Sequence, residues 1–198
     1  MLSRTRLLSI PAIIIAIVCH EYAHAYMAYR LGDPTAKNAG RLSLNPIKHL
    51  DVFGLLSMII FRFGWAKGVP IDSRYFKNRK LGTILVSLAG VFTNFVLAFI
   101  SYQLIKWIAA NNYNQLLIDF LFSLVWFNIM LGVFNLLPFP PLDGSKVVAS
   151  LLPNRLEYFF YKYENYFSII LVFLIISGNI GKILTPIINA IARFMLSV

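Results

Sequence analysis

Long apolar segments separated by short polar connections organise this sequence. The first segment, residues 7–29, carries no charge over residues 7–18 and is followed by Gly32-Asp33-Pro34, which is typical of a helix stop and a turn. Residues 81–108 and 116–137 form two further long apolar segments. Because about 20 apolar residues in a helix span the hydrocarbon core of a bilayer, the pattern predicts three membrane-spanning helices.

Shorter apolar segments complete the pattern. Residues 53–61 are too short to cross a bilayer, so they are predicted to form a re-entrant or partial helix. The prolines within residues 138–141 must interrupt regular helix. Residues 144–152 are predicted to form a short helix, and residues 166–176 and 180–195 form a last apolar stretch.

One connection has a different pattern. Polar and apolar residues alternate over residues 41–44, as in a short strand, and Asn45-Pro46 ends the alternation. Together the segments predict an all-α polytopic membrane protein with four to six transmembrane or re-entrant helices. A short β-hairpin-like segment is expected at the membrane edge. The sequence shows no internal repeat and no soluble appendage, so residues 1–198 are predicted to form a single domain.

The composition requires lipid as the solvent for much of the chain. Hydrophobic residues make up 59% of the 198 positions and charged residues 13%, with a mean hydropathy of +0.71. Soluble domains usually carry about 25% charged residues. No small-x-small cleavage site follows the first apolar segment, so it is expected to remain as a helix rather than to be removed as a signal peptide. These observations predict an integral membrane protein.

The net charge of +10 is concentrated in the polar connections. Ten of the 18 Lys and Arg residues lie between Arg30 and Lys80. This is the positive-inside pattern, which places residues 30–50 and 62–80 on the cytoplasmic side. The sequence lacks the mixture of aromatic and basic residues that is typical of single-strand binders. Nucleic acid is therefore not expected as a partner.

A His-Glu-x-x-His element at residues 20–24 lies inside the first apolar segment. Positions four apart on a helix differ by about 40° around its axis, so His20 and His24 share a face and can bind one metal ion. Glu21 is suited to act as general base beside that ion. Ionisable groups are costly in hydrocarbon, which favours a metal site over a chance match. The single cysteine, Cys19, excludes an internal disulfide and is interpreted as a packing residue.

A catalytic zinc site needs a third protein ligand and an open position. Asp143 is the favoured candidate, because prolines unwind the chain before it and Gly144 allows close approach of the backbone. Asp119 begins a spanning segment beside a polar turn, so solvation at the interface explains it more simply. Glu157 and Glu164 have basic neighbours in sequence, which is typical of solvated ion pairs.

The chain resembles the site-2 protease family of intramembrane zinc metalloproteases, in its compact bacterial type without a PDZ or CBS domain. The resemblance rests on three motifs, which are HEYAH at 20–24, GRLSLNPIKHLD at 40–51 and NLLPFPPLDG at 135–144. It implies Glu21 as the catalytic base and one zinc ion per chain, held by His20, His24 and Asp143. Three positions depart from the family pattern without removing a ligand or the base: Gly68, Val91 and Ser145.

Three further polar residues each have two possible roles. The resemblance implies that Asn135 helps to hold the substrate or the oxyanion, and the alternative is an Asn that bonds the backbone of a broken helix. Asn94 is a second candidate for such a role, although an Asn in a transmembrane helix more often links helices. His49 is either an accessory polar group near the site or a loop histidine bonded to local backbone.

The implied function is hydrolysis of peptide bonds in or near transmembrane segments of membrane-bound substrates. The site should lie nearer the cytoplasmic face of a bacterial cell membrane, because His24 is only about 9 Å along its helix from Arg30. Residues 40–45 are expected to receive the unwound substrate as an added strand.

The expected partners are a transmembrane protein or peptide substrate and the lipid bilayer, and homo-oligomerisation stays open. Two alternatives are a metal-binding membrane transporter and a catalytically inactive homologue that acts as a scaffold.

Overall fold

Helices dominate the computed structural model, which describes residues 4–51, 54, 66–111 and 114–197. In chain order they are α1 (Arg4–Arg30), α2 (Thr35–Asn38), α3 (Arg79–Asn111), α4 (Gln115–Asn135), α5 (Asp143–Leu151), α6 (Asn154–Lys162), α7 (Glu164–Ile176) and α8 (Asn179–Ser197). Single turns of 3-10 helix lie at Pro46–Lys48 and Ser73–Tyr75. The long helices α1, α3 and α4 coincide with the three predicted spans.

Three helices are long and apolar enough to cross a membrane: α3, α4 and the Leu7–Arg30 part of α1. The pair α6 and α7 passes the same test together but is bent by 59° at its junction, as in a broken span or a re-entrant loop. The predicted fold class, an all-α polytopic membrane protein, is confirmed with three or four candidate spans in the described ranges. The re-entrant helix predicted at 53–61 falls outside the described residues, apart from residue 54.

Small residues let α1 pack closely against α3 and α4, which also contact each other. Ala12, Ala16, Ala25 and Ala28 are fully buried along α1. Helix association in membranes depends on such close backbone approach, because lipid tails are as apolar as the side chains and provide no hydrophobic driving force. The three long helices therefore form one bundle.

Two clusters of buried apolar side chains lie along the bundle. One cluster joins the first half of α1 to the end of α3 and the start of α4. Another joins the middle of α3, the second half of α4 and α8. Large side chains such as Phe92 and Trp107 are 69% and 61% exposed on the outer surface of the bundle. A surface of this kind suits contact with lipid.

The predicted break in the helical structure lies between the end of α4 at Asn135 and the start of α5 at Asp143. A Cβ atom at Gly144 would overlap the backbone carbonyls of Leu136 and Leu137. Glycine at this position therefore lets α5 begin directly against the end of α4. This close return places Asp143 next to α1.

The strand predicted over residues 41–44 is not formed. These residues are irregular, and the Arg41 side chain is buried at 7% exposure. Its guanidinium donates hydrogen bonds to the backbone carbonyls of Lys67 and Gly68. The polar positions of the alternating pattern therefore do not mark a solvent-facing side of a strand. Residues 40–45 therefore form no strand edge in the described part of the structure, and the expected pairing with a substrate stays a prediction.

The β-pairing recorded in the described part of the chain is a single antiparallel bridge between Leu50 and Ala66. The N–H of Lys67 also donates to the carbonyl of His49, at 2.9 Å. These contacts bring together the two ends of the segment that the described ranges leave out.

Glu157 has different partners from those that its sequence neighbours predict. It lies in the first turn of α6, 9% exposed, and its carboxylate faces Arg79 at 3.6 Å and Lys80 at 3.7 Å. Both partners belong to the start of α3. Glu157 therefore ties α6 to α3 rather than forming a solvated pair within its own segment.

Candidate metal centre

The two histidines of α1 lie on one face of the helix, as their spacing predicts. The side chains of His20 and His24 are buried, and their Nε2 atoms are 2.9 Å apart. Their rings are nearly perpendicular, with centroids 4.5 Å apart. Both Nε2 atoms therefore point to the same small volume, as two imidazole ligands of one ion must.

Asp143, at the first position of α5, completes the group. Its Oδ2 lies 3.1 Å from His20 Nε2 and 3.0 Å from His24 Nε2. Ligand atoms around a tetrahedral zinc ion, each 2.0–2.1 Å from it, are about 3.3 Å apart. A small outward movement of these three side chains would therefore accommodate the ion. Two imidazole nitrogens and one carboxylate oxygen are donors that zinc accepts, and the residues fit the metal that the sequence predicts.

The other ring nitrogens of both histidines face hydrogen-bond acceptors. His20 Nδ1 lies 2.6 Å from Asn94 Oδ1, and His24 Nδ1 lies 2.7 Å from the backbone carbonyl of Val86. Since a carbonyl oxygen only accepts, each Nδ1 must carry the hydrogen, and each Nε2 keeps its lone pair. Such outer contacts fix the tautomer and the ring orientation of metal-ligating histidines.

Gly90 of α3 makes room for the two imidazole rings. A Cβ atom at this position would lie 2.6 Å from His24 Nε2 and 2.7 Å from His20 Cε1. Both distances are far below van der Waals contact, so any larger residue would displace the ligands. The lack of a side chain at Gly90 therefore has a steric explanation, because the two imidazole rings occupy that space.

Glu21 follows His20 on α1 but faces a loop rather than the helix bundle. Its side chain is half-buried, and Oε2 accepts a hydrogen bond from the N–H of Val69 at 2.9 Å. Arg41 binds the carbonyls of Lys67 and Gly68, the two residues before Val69. The orientation of Glu21 therefore depends on the connection between α1 and α3.

Lys146 gives Asp143 a positive neighbour one turn along α5, with Nζ 3.5 Å from Oδ1. A positive charge at this distance favours the ionised form of the Asp143 carboxyl. The ionised carboxylate is the form that binds metal.

A cavity of about 270 Å³ adjoins the group and is bordered by His24 and Asp143. Its other walls come from the loop before α3, the first part of α3, the first turn of α5 and the last turn of α6. They include Val69, Ser73, Thr83, Ser87, Lys146 and Tyr161. The mixture of hydroxyl groups, an amine and apolar side chains can accommodate water or part of a polypeptide next to the ligand atoms.

The two asparagines proposed from the sequence lie in different surroundings. Asn94 is fully buried, and its amide nitrogen donates to the carbonyl of Ala16 at 3.2 Å and to Asn128 Oδ1 at 2.8 Å. Asn135 is half-buried at the end of α4, and its amide donates to the carbonyl of Leu131 at 3.0 Å. The structure joins Asn94 to the metal group and gives Asn135 a contact within its own helix.

The remaining candidates stay outside the metal group. His49 is buried in the loop, with Nε2 2.6 Å from the carbonyl of Ser43, as expected for a histidine bonded to local backbone. Cys19 is half-buried and is not one of the three converging residues. Asp119 is bonded by the Gln115 amide at the start of α4.

Sequence reasoning missed several residues that support the site. Asn128 is fully buried in α4 and bonded to Asn94. An amide inside an apolar segment is a signal for such a role, because it needs a partner there. Lys146 and Val69 carried no comparable signal, because one is an ordinary charged residue and the other contributes only its backbone.

The sequence is similar to those of known zinc metalloproteases. The model of "Peptidase family M50" matches residues 104–178. "Putative zinc metalloprotease" is the name given both to YwhC of Bacillus subtilis and to Rip2 of Mycolicibacterium smegmatis. YwhC is 40% identical over 184 residues, which cover 90% of this chain and 84% of YwhC. Rip2 is 34% identical over 146 residues, which cover 70% of this chain and 54% of Rip2.

A zinc metalloprotease of Methanocaldococcus jannaschii is 24% identical over 146 residues, covering 73% of this chain and 34% of that protein. No solved structure gives a significant match to this chain.

Proposed function

The chain belongs to peptidase family M50, the site-2 protease family of zinc metalloproteases, and from this premise we propose that it cleaves peptide bonds in or near transmembrane segments. The observation that carries the proposal is the convergence of His20, His24 and Asp143 beside Glu21, in a bundle of helices able to span a membrane. Substrates that reach such a site are themselves membrane-bound.

His20, His24 and Asp143 are the proposed ligands of one zinc ion. Zinc bound there would supply a Lewis acid that activates water and polarises the scissile carbonyl. The chain's own contribution is rigidity, since Asn94 and the Val86 carbonyl hold the two imidazoles in the required tautomer. The adjoining cavity gives water and substrate a place next to the ligands.

Glu21 is the proposed general base and acid. Its carboxylate accepts a proton from the attacking water and later delivers a proton to the leaving amine nitrogen. The Val69 N–H holds one carboxylate oxygen and so limits the rotation of the side chain. A base of fixed orientation transfers protons along one path.

The proposed roles of the two asparagines differ. Asn135 remains the candidate for holding the substrate or the oxyanion, because it is half-buried at the break that leads to Asp143. Asn94 is assigned to the orientation of His20, because both hydrogens of its amide are directed at acceptors inside the bundle.

We place the site nearer the cytoplasmic face of the membrane. The connection between α1 and α3 is basic near both of its ends, where Arg30, Lys67, Arg74 and Lys77 are exposed. Basic connections of this kind lie on the cytoplasmic side. The Glu21 contact with Val69 lies on this same side of the bundle. Cysteine labelling of residues 67–77 from inside the cell, but not from outside, is the expected result.

Substitution Glu21→Gln tests the proposed chemistry. We expect cleavage to fall by about 10²- to 10⁴-fold, the usual contribution of a general acid-base, while zinc content stays at the wild-type level. The measurement compares membrane-derived peptides from cells with wild-type and variant protein by mass spectrometry, with zinc analysis of the purified chains. Cys19→Ala, two positions earlier on α1, is the matched control and should cleave normally.

Two outcomes would contradict the proposal. Undiminished cleavage by Glu21→Gln would remove Glu21 from the mechanism. Zinc uptake that requires His20, in cells that show no difference in membrane peptides, would instead favour a metal transporter.

A further inference from the structure

Two asparagines from different spanning helices are completely buried in the bundle. Asn94 of α3 and Asn128 of α4 are both 0% exposed. Amides in such surroundings need hydrogen-bond partners, because water is not there to replace them. Their hydrogen bonds form one network, which also includes the backbone carbonyl of Ala16 and ends at His20, a proposed zinc ligand.

The chain of hydrogen bonds starts in α4. The Asn128 amide nitrogen donates to the carbonyl of Leu124 at 2.8 Å, which turns Asn128 Oδ1 towards α3. The Asn94 amide nitrogen donates to that oxygen at 2.8 Å. Asn94 Oδ1 then faces His20 Nδ1 at 2.6 Å. Each amide is oriented by the contact before it.

The direction of this chain decides the tautomer of His20. With Asn94 Oδ1 towards the ring, Nδ1 carries the hydrogen and Nε2 has the lone pair that a metal needs. A rotated Asn94 would instead donate to Nδ1, so the hydrogen would move to Nε2 and remove the ligand atom. Two acceptors oppose this rotation, because neither can donate to the oxygen of Asn94. They are Asn128 Oδ1, 2.8 Å from the Asn94 amide nitrogen, and the backbone carbonyl of Ala16, 3.2 Å from it. Asn128 makes the shorter of the two contacts.

The two histidines differ in this respect. His24 Nδ1 faces the backbone carbonyl of Val86, which is part of α3 and cannot turn into a donor. His20 faces a side-chain amide, whose two ends are interchangeable in shape. A further contact that fixes the orientation of this amide is therefore needed at His20, and none is needed at His24.

We propose that Asn128 is a positioning residue that holds the metal-binding tautomer of His20 through Asn94. The consequence for zinc affinity rests on the proposed metal site, whereas the tautomer can be measured without metal. In the metal-free chain the Asp143 carboxylate, 3.1 Å from His20 Nε2, competes with Asn94 Oδ1 for the ring hydrogen. Asn128 touches neither the ligand atoms nor the cavity in the contacts described.

Substitution Asn128→Leu tests the proposal, because leucine has a similar size and no polar group. The purified full-length chain without metal, labelled with ¹⁵N in its histidines, gives signals from only three residues, His20, His24 and His49. We expect the His20 signals at mildly alkaline pH to show a larger population with the hydrogen on Nε2 than in the wild type. The His24 signals should change less, because His24 Nδ1 stays bonded to the Val86 carbonyl. Competition with a chelator should show zinc affinity reduced by about 10-fold, the lower end for lost outer contacts.

Three variants control the result. Ser123→Ala removes a comparable hydrogen bond within α4, to the carbonyl of Asp119, and should leave both measurements unchanged. Asn128→Asp, in its protonated form, can donate to Leu124 and accept from Asn94, so it should restore the wild-type tautomer. Asn128→Ser can keep the bond within α4 but is too short to reach Asn94, and it replaces Asn128→Leu if that variant does not fold.

A wild-type His20 tautomer in both Asn128→Leu and Asn128→Ser would overturn the proposal. An equal change at His20 and His24 would also overturn it, since it would indicate general loosening of the bundle. If the wild-type chain binds no zinc, the proposed function fails, and the tautomer measurement still decides the role of Asn128.

Discussion

The two histidines of the proposed metal site and the proposed base are neighbours in sequence but are held by different parts of the molecule. His20 and His24 point into the helix bundle, where Asn94, Val86 and Gly90 of α3 fix their surroundings. Glu21 points to the connection between α1 and α3, where a backbone N–H holds it. The first region is built from regular helices, and the second from an irregular loop.

This difference implies that metal binding and proton transfer can be disturbed separately. A change in the bundle should alter zinc content first and activity as a consequence. A change in the loop should alter the orientation of Glu21 and leave the zinc in place. Helix packing is rigid, whereas loops are drawn from the less stable parts of a structure.

The largest expected effect is that of Asp143→Ala, which removes one of the three proposed ligands. Zinc affinity should fall by more than the roughly 100-fold upper range for the loss of an outer contact, and cleavage should be lost with it. Metal analysis and peptide cleavage of the same preparation measure both. Asp119→Ala, which changes an acid at the start of α4, should keep wild-type zinc content. Full zinc content in Asp143→Ala would exclude Asp143 as a ligand.

Gly90→Ala should disturb the proposed metal site although it replaces none of the three ligands. Its Cβ would lie 2.6 Å from His24 Nε2, so the rings must move, and a misplacement of about 1 Å can cost about 100-fold in activity. Zinc affinity should fall together with activity. Gly132→Ala in α4 is the control, because its Cβ would meet the Phe95 ring at 3.1 Å and that ring can shift. Equal behaviour of the two variants would contradict the steric role of Gly90.

The bundle was the more predictable region, for physical reasons. Apolar length defined α1, α3 and α4, and the helical repeat alone placed His20 and His24 on one face. The cost of a carboxylate in hydrocarbon singled out Asp143 over acids near polar turns, and Gly144 indicated the close return of the chain. The structure brings these three residues together.

The loop was less predictable, because its contacts involve backbone groups and residues distant in sequence. The alternation at 41–44 suggested a strand, but these residues are irregular, and Arg41 is buried against the Lys67 and Gly68 carbonyls. Nothing in the pattern connects Glu21 with the N–H of Val69. The link from Asn128 to Asn94 was equally hidden, since an isolated polar residue doesn't indicate which helix it will meet.

Arg41→Met should disturb the loop region and leave the metal region intact. The variant fills similar space but leaves the Lys67 and Gly68 carbonyls without their donor, so Val69 and its contact with Glu21 become less fixed. We expect turnover to fall by about 10-fold, within the 100-fold that a misplacement of 1 Å can cost, at unchanged zinc content. Lys48→Met, an exposed change in the same connection, should have no effect. Loss of zinc from Arg41→Met would show that the two regions are not separable.

The smallest effect is expected from Arg74→Ala, at the exposed surface of the same loop. Hydrogen bonds from Arg74 lower the pKa of Asp72 from 3.8 to about 2, so the pair stabilises the fold above pH 4 and this contribution is lost as the pH falls towards 2. The Arg74 side chain is exposed and that of Asp72 is partly exposed, which makes the contribution slight. The backbone N–H of Asp72, which binds Asp33 Oδ2 at 2.7 Å, is unaffected by the substitution. Zinc content and turnover should therefore equal those of the wild type, and thermal unfolding should differ slightly at neutral pH and converge near pH 2. A loss of turnover as large as that of Arg41→Met would mean that the exposed surface of the loop, and not its buried contacts, holds Glu21 in place.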